Sequence, residues 1–461
     1  MEFCFPNFQE FGILYREKMF VFHKTLEDTM AITRSLFEPG QLPPLSRYDK
    51  LFDNLPLLPE EHNRTGRPAV ARNAILRASV YRCIRRLPTL SDLVFELNNN
   101  PTMLEVVGLD ALKPAPSVER FSSFLRDTPN AELQKIRKAL VSLLLQEQVL
   151  SGRLIALDSC PIVMPVKENN LKTSVRNRFD KTQYPKADPQ CRLGVLVHYP
   201  NPFQKKVRYF WGYRNHIITD TETELPMWEF TQPANVSEVK IAIPLLRACQ
   251  EAFGLTMEAV MGDAEYDVES ILAYIIDELK AEAIIPRRTG KNPDKGYTVK
   301  GDCIICTAGL PMHRKGKMRP KKTGILYCQY SCPLYYDKKV RYQYIVCPAV
   351  HPKFFEQKGC NVLIRLEPSV RTKIDYDTEK FKDLYNTRTS VERVFSRLLS
   401  IAMQNPTVKG LNAVSNHCTI AHITVLLVAL TAHRSGQKDK IRFVKSFVPN
   451  FLHTLPKKGV L

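Results

Sequence analysis

The chain is short of acid. Its 461 residues hold 47 Asp and Glu against 66 Lys and Arg, leaving a net charge of +19. A surface so depleted in negative charge points to a polyanionic partner, nucleic acid being the commonest. A long apolar run is missing too. The longest, Ile420 to Leu430, is interrupted by His422. It falls short of the ~20 residues that cross a bilayer, so it reads as a buried helix and not a membrane span. The first residues, Met-Glu-Phe-Cys-Phe-Pro, lack the basic and apolar regions of a secretory signal. No internal repeat or low-complexity block occurs, which sets aside solenoid architectures. The twelve cysteines follow no short secreted framework. They suit a reducing compartment such as the cytoplasm, with metal binding where they cluster.

What is present fits about three domains at ~150 residues each, with 44% hydrophobic residues to build cores. Residues 1–60 read as helical, closing in Leu55-Pro-Leu-Leu-Pro59. A turn at Gly66-Arg-Pro68 opens a helix through Ala74 to Tyr81, and the next helix is capped by Ser91 and carries Leu93, Val94 and Leu97. Ser117 to Leu125 follows a break at Pro114 and Pro116, and a long helix covers Ala131 to Leu150. Short helices with basic faces fit a helix-turn-helix-like DNA-binding unit and a plain helical bundle equally well.

Near Gly152 the pattern changes. Arg153 to Asp158 and Glu258 to Asp263 are apolar runs ending in an acid, which reads as buried strands with a carboxylate at the C-terminal tip. Tyr209 to Thr219, Leu225 to Thr231 and Ala283 to Pro286 read as further strands. Helices are expected from Val236 through Leu246 and from Val268 to Lys280. Three strands, then helix, strand, helix, strand is the order of a ribonuclease H-like α/β core with a mixed sheet. Acids at the ends of its first and fourth strands lie where that fold collects metal-binding carboxylates.

The stretch Tyr385 to Ser400 supplies a third acid. As a helix it sets Val391, Val394, Phe395, Leu398 and Ala402 on one stripe. Tyr385, Arg388 and Glu392 then fall on one side at spacings of three and four. Asp158, Asp263 and Glu392 are thus the three carboxylates to bring together. Shared acidic ligands suit a pair of Mg²⁺ ions, hard cations that prefer oxygen, with Mn²⁺ an alternative. Arg388 would grip a DNA phosphate as a planar fork and Tyr385 would donate to another phosphate oxygen.

These blocks resemble those of bacterial insertion-sequence DDE transposases, in the group whose third acid lies in a Tyr-x2-Arg-x3-Glu-x6-Lys signature. Tyr385, Arg388 and Glu392 match it. Leu157-Asp158-Ser-Cys-Pro-Ile162 is similar to the first-acid block, with Cys160 where Thr is usual. Met261-Gly-Asp263-Ala-Glu-Tyr-Asp267 is similar to the second. Gly212-Tyr-Arg-Asn-His216, Leu225-Pro226 and Thr231 to Val236 resemble the intervening strands and loop, and Gly66 through Phe121 the N-terminal helical domain. The resemblance implies metal-dependent strand cleavage at transposon ends and strand transfer into target DNA. It also implies double-stranded partners (terminal inverted repeats and target), a homodimer or higher assembly, and a place at the nucleoid. One departure stands out: the closing Lys of the signature falls on Leu399. Arg397 is five residues past Glu392, about 140° round the helix, and is a poor substitute. That departure keeps open a transposase-derived DNA-binding protein without activity; a nuclease without strand transfer is the other rival.

Between the second and third acids lies a basic, cysteine-rich β insertion. From Arg287 to Lys322 eleven Lys and Arg face only Asp294 and Asp302. Arg314, Lys315, Lys317, Arg319, Lys321 and Lys322 form the expected DNA-binding loop. Cys303, Cys306, Cys328 and Cys332 flank it as Cys-x2-Cys-x21-Cys-x3-Cys, a spacing that reads as a structural zinc ribbon, with Cys347 and Cys360 as competing ligands. Asn235 and His216 are read as structural, and Trp211 and Trp228 as core. The segmentation expected is a helical DNA-binding domain at 1–150, core at 151–287 and 376–435, insertion at 288–375 and a basic tail at 436–461.

Overall fold

The computed structural model describes residues 44–60, 70–201, 204–288, 296–301, 303–321, 324–356, 358–404 and 406–444. The helical reading of 1–43, the turn at Gly66-Arg-Pro68, Lys322 and the end of the basic tail lie outside them. The chain divides into two compact units, one formed by 1–255 with 389–461 and the other by 256–388.

In the first unit, chain order begins with α1 (Pro44–Asp53), α2 (Arg72–Arg85), α3 (Leu90–Asn98), α4 (Pro101–Val107), α5 (Val118–Asp127) and α6 (Asn130–Gln146). Strands β1 (Leu154–Val163), β2 (Arg192–Asn201), β3 (Gln204–Asp220) and β4 (Leu225–Pro233) follow, then α7 (Glu238–Phe253). The second unit holds β5 (Ala259–Met261), α8 (Glu269–Ala273), β6 (Glu282–Ile284), β7 (Tyr297–Lys300), β8 (Cys303–Cys306), β9 (His313–Met318), β10 (Tyr327–Ser331), β11 (Asn361–Arg365) and α9 (Glu379–Thr387). The chain returns to the first unit with α10 (Thr389–Ser400) and α11 (Leu411–Arg434).

The first unit is built around α11. Every residue from Ala413 to Ala432 is buried, so the helix, long and apolar enough to cross a membrane by composition, is a core helix. A helix apolar all round needs cover on every side. Helices α2, α5 and α6 supply it from one part of the chain and β4 from another. The helical region and the strands share one compact unit. The cap of α3 also differs from expectation. Thr89, not Ser91, closes it: Thr89 Oγ1 accepts from the Asp92 N–H at 3.0 Å, and Asp92 accepts from the Thr89 N–H at 2.9 Å, a reciprocal capping box.

β3 is the spine of the sheet. Its half Gln204–Gly212 pairs with β2, while Gly212–Asp220 pairs with β1 and Tyr213–Asp220 with β4, all antiparallel. Gly212 has no alternative there, since a Cβ would stand 2.1 Å from the Ile162 carbonyl oxygen of β1. β2 is a fourth strand that the sequence reading lacked. Its Val195 and Val197 face solvent, 40% and 47% exposed, so its alternation does not mark a core face. Where α6, α11, β3 and β4 meet, Glu229 is buried and fully engaged. It accepts from Gln134, from Thr419 at 2.7 Å and from Asn215 at 2.8 Å, and His422 bonds Asn215 at 3.0 Å.

In the second unit β5 and β6 pair in parallel, connected through α8, which runs on as a π-helical turn over Tyr274–Glu278. Residues 297–365 contribute a β7–β8 hairpin and a three-stranded antiparallel sheet in the order β11-β10-β9. The chain is thus mixed α/β, with strands paired in both senses.

Candidate active site

Asp158 sits inside β1, not at its tip. The strand continues to Val163 because Cys160 and Ile162 keep the buried alternation beyond it, and Asp158 is directly opposite Ile217 of β3. Its carboxylate is half-buried and accepts the Ser159 N–H at 2.7 Å. Burial, reinforced by the Asp158 charge, pushes the Cys160 thiol well up, so it stays protonated. Ser159, pointing the other way, donates to Glu238 at 2.7 Å. Arg214 reaches Ser159 at 3.1 Å and Glu238 at 2.6 Å, a charge pair with side chains only 16% and 12% exposed. This trio locks the strand under Asp158 to the N-terminal turn of α7. The sequence reading gave no role to Glu238, and the signal was present only as an acid in the first turn of a helix.

Glu392 lies in the first turn of α10 and is exposed. The apolar stripe below it, Val391, Val394, Phe395 and Leu398, is buried, and α10 packs on β1 and β3. The elements that carry Asp158 and Glu392 are therefore in contact. The expected single helix through Tyr385 is broken: α9 ends at Thr387 and α10 starts at Thr389. Arg388 at the break donates its N–H to the Tyr385 carbonyl at 3.0 Å, and its guanidinium lies 5.7 Å from the Tyr385 ring centroid. Arg397 is engaged elsewhere. Its Nη2 donates 2.8 Å to the Glu224 carbonyl and 3.0 Å to the Glu224 carboxylate, and burial brings its pKa to about 10.

Asp263 follows β5 and opens a short 3₁₀ turn, Ala264–Tyr266, where it accepts the Glu265 N–H at 2.8 Å. Tyr266 is buried against Gly262, where a Cβ would stand 2.9 Å from its ring. Next, Asp267 and Glu269 are held by Arg371, and Glu269 also by Arg365. Burial alone would raise the Glu269 carboxyl, but bonds from Arg365, the Val370 N–H and Ser369 outweigh it and set the pKa near about 2.

The basic loop runs along β9, the edge of its sheet. Lys315 lies over the Tyr336 ring at 4.4 Å, Arg314 donates to the Cys328 sulfur at 3.3 Å, and Arg319 pairs with Glu367 at 2.6 Å. Lys317 and Lys321 are exposed. The zinc ligands expected from the sequence do not converge. Cys303 and Cys306 lie three apart on β8, one exposed and one buried, on opposite faces. Cys328 and Cys332 lie four apart along β10 and its end, ~13 Å at strand rise. Among the described residues no group of three or more His, Cys, Asp or Glu side chains stands at metal-holding spacing. Trp211, Trp228 and His216 are structural. Trp211 is buried, its Nε1 donating to the Arg178 carbonyl at 2.6 Å. Trp228 lies under Arg137, 4.3 Å from ring centroid to guanidinium. His216 is buried, and desolvation, with Arg214 adding, brings it down to about 4. Asn235 is exposed.

A mixed α/β chain with one carboxylate on a central strand and another on the helix packed against it defines a broad structural class. Comparison with known families names the class more closely. A transposase DDE domain matches residues 173–427, more than half of the chain, and a transposase domain described as DUF772 matches 33–127. The chain belongs to the DDE transposases. The DDE match holds Asp263 and Glu392, while Asp158 precedes it. No curated protein matches the chain. Among solved structures, the cryo-EM structure of the piggyBac transposase synaptic complex with hairpin DNA overlaps 91% of this chain and 82% of its own, at 12% identity and a TM-score of 0.35. An overlap that loose carries no argument.

Proposed function

We propose that this DDE transposase hydrolyses one DNA strand at each transposon end and joins the freed 3′-hydroxyl to target DNA by transesterification. The observation that carries the reading is the packing of α10, with Glu392, on β1, with Asp158. Asp263 completes a donor set made only of carboxylates, which suits Mg²⁺ or Mn²⁺. Divalent ions bound there would acidify the attacking water or 3′-hydroxyl and stabilise the leaving oxygen. The rest falls to the chain. Arg388 and Tyr385, already in contact at the end of α9, hold phosphate oxygens and orient the scissile strand. The Ser159–Arg214–Glu238 trio keeps the strand under Asp158 fixed, and the exposed lysines of β9 hold the duplex backbone. In this reading the core is ribonuclease H-like, the working form is a homodimer or higher assembly on DNA, and the substrates are terminal inverted repeats and target DNA.

The test is strand transfer with pre-cut ends bearing the inverted repeats that flank the gene. Asp158→Asn, Asp263→Asn and Glu392→Gln should each abolish joining in Mg²⁺ while DNA binding survives. Joining that persists in any one of them removes that carboxylate from the site. Wild-type protein that binds ends but neither cuts nor joins in Mg²⁺ or Mn²⁺ overturns the catalytic reading.

A further inference from the structure

A different set of four cysteines, two of them shared with the expected ligands, lies around two neighbouring clusters of the insertion. Two small buried clusters form there: Ile304, Cys306 and Met312 in one, and Cys332, Leu334 and Cys347 in the other. Cys360 packs against both, as do Ala308 and Leu310. The Cys332 N–H donates to the Cys360 carbonyl at 2.8 Å. Gly359 (φ +61°) brings the chain so close that a Cβ there would stand 2.7 Å from Cys332 Cβ.

The backbone at three of these cysteines repeats one design. The carbonyl of Cys306 accepts the N–H of Gly309 at 2.9 Å, that of Cys332 the N–H of Tyr335 at 3.2 Å, and that of Cys347 the N–H of Val350 at 2.8 Å. Each cysteine thus opens a tight turn, and Pro333 and Pro348 directly follow two of them. Such turns curl successive N–H groups toward the side chain at their start, where they stabilise negative charge. Two of the turns close on positive φ: +75° at Gly309 and +48° at Val350. The latter is costly for a β-branched residue and persists only where the surroundings impose it.

We propose that Cys306, Cys332, Cys347 and Cys360 form a closed tetrahedral Zn²⁺ site that staples the insertion. Clusters this small do not stabilise a fold by burial alone, and a structural metal is the common remedy in a reducing compartment. Four thiolates select a soft or borderline ion over Mg²⁺. The sulfurs do not yet stand at ligating spacing, so binding draws them inward by side-chain rotation on anchored turns and releases their protons. Cys303, exposed, and Cys328, bonded to Arg314, stay outside the site. The staple fixes the exit of β8, the end of β10 and the entry to β11, and thereby the sheet whose edge is β9.

Metal content of the full-length chain tests this without reference to catalysis. Protein purified under reducing conditions from zinc-supplemented cells should carry about one zinc per chain, released on titration with a mercurial thiol reagent. Cys347→Ser and Cys360→Ser should lose it, while Cys303→Ser and Cys328→Ser keep it. Cobalt-substituted wild-type protein should show tetrahedral ligand-field bands and thiolate charge transfer, a readout that needs no variant to fold. Wild-type protein without stoichiometric zinc and without those bands overturns the site. Loss of zinc from the Cys303 or Cys328 variants, with retention in those at 347 and 360, overturns this ligand set.

Discussion

Arg371 grips Asp267, its Nε 2.7 Å from Oδ1 and its Nη2 donating 3.0 Å to the Asp267 carbonyl. The same guanidinium reaches Glu269 at 2.8 Å, and Glu269 also takes Arg365 at 2.9 Å. Asp267 lies just beyond Asp263 in sequence, so the segment after β11 is pinned to the loop that carries Asp263. Arg371→Ala should loosen that loop and slow strand joining by ~10–100-fold, the scale on which small misplacements act. DNA affinity should hold. Arg371→Lys keeps the charge without the fork and should fall between. Wild-type joining rates in the alanine variant would show that the pin does not position Asp263.

The buried histidines set how stability answers to pH. Desolvation, with Arg82 adding at His417 and Arg137 at His422, brings both down to about 3, and His216 to about 4. In the folded chain these rings stay neutral, while in the unfolded chain they take protons near ~6.5. Their contribution is therefore complete above ~6.5 and is lost as pH falls from there toward 3–4. Glu269, depressed to about 2, adds a second loss between ~4.3 and ~2, since its carboxylate is favoured only when folded. Melting temperature followed from pH 7.5 down to about 5 should fall before any carboxylate titrates. A flat profile over that range would mean that the three rings take protons without unfolding.

The departure at Leu399 invites Arg397 as a stand-in for the missing lysine, and the geometry argues otherwise. Arg397 is spent on Glu224, which also holds Arg393 at 2.7 Å and Arg442 at 3.4 Å. Arg397→Ala should cost about 1–3 kcal/mol of stability by leaving Glu224 less well paired. It should change affinity for cut ends by no more than about twofold, within the range of a side chain that contacts no phosphate. Chemical denaturation and a band-shift titration on the same preparation separate the two effects. A large loss of DNA affinity with unchanged stability would restore Arg397 as a phosphate ligand.

Legibility in the sequence followed periodicity and burial. The core helix was readable from its apolar run, Ile420 to Leu430, although it extends over twenty-four residues, Leu411–Arg434. The strand carrying Asp158 and the one leading to Asp263 were readable as apolar runs, but not where the first stops. An Asp usually ends a strand, and here the chain continues because a paired neighbour, β3, accepts Ser159 through Val163. β2 was invisible because its valines face outward. The cysteine spacing misled for a physical reason: a pair with two residues between them places both thiols together in a tight turn, but on β8 it sends them to opposite faces. Long-range partners such as Glu238 with Arg214, or Arg371 with Asp267, leave no local pattern to read.

The pair Arg214–Glu238 allows the support of Asp158 to be measured. With side chains 16% and 12% exposed and 2.6 Å apart, the charges are largely withdrawn from water. Removing one partner strands the other, at a cost of roughly 3–5 kcal/mol for a buried pair. Arg214→Met should therefore unfold the chain at lower denaturant, and Glu238→Gln should do so too, though less, since the amide still accepts from Arg214 and Ser159. Together they should cost less than the sum, because neither leaves an orphan charge. Activity should separate from stability here. Glu238→Gln keeps both bonds at Ser159 and so the register of β1, and should retain most joining, whereas Arg214→Met removes the bond that Ser159 accepts beside Asp158 and should lose more joining than its stability loss explains. Equal activity in the two variants, measured well below their melting temperatures, would show that the trio serves the fold and not the carboxylate beside it.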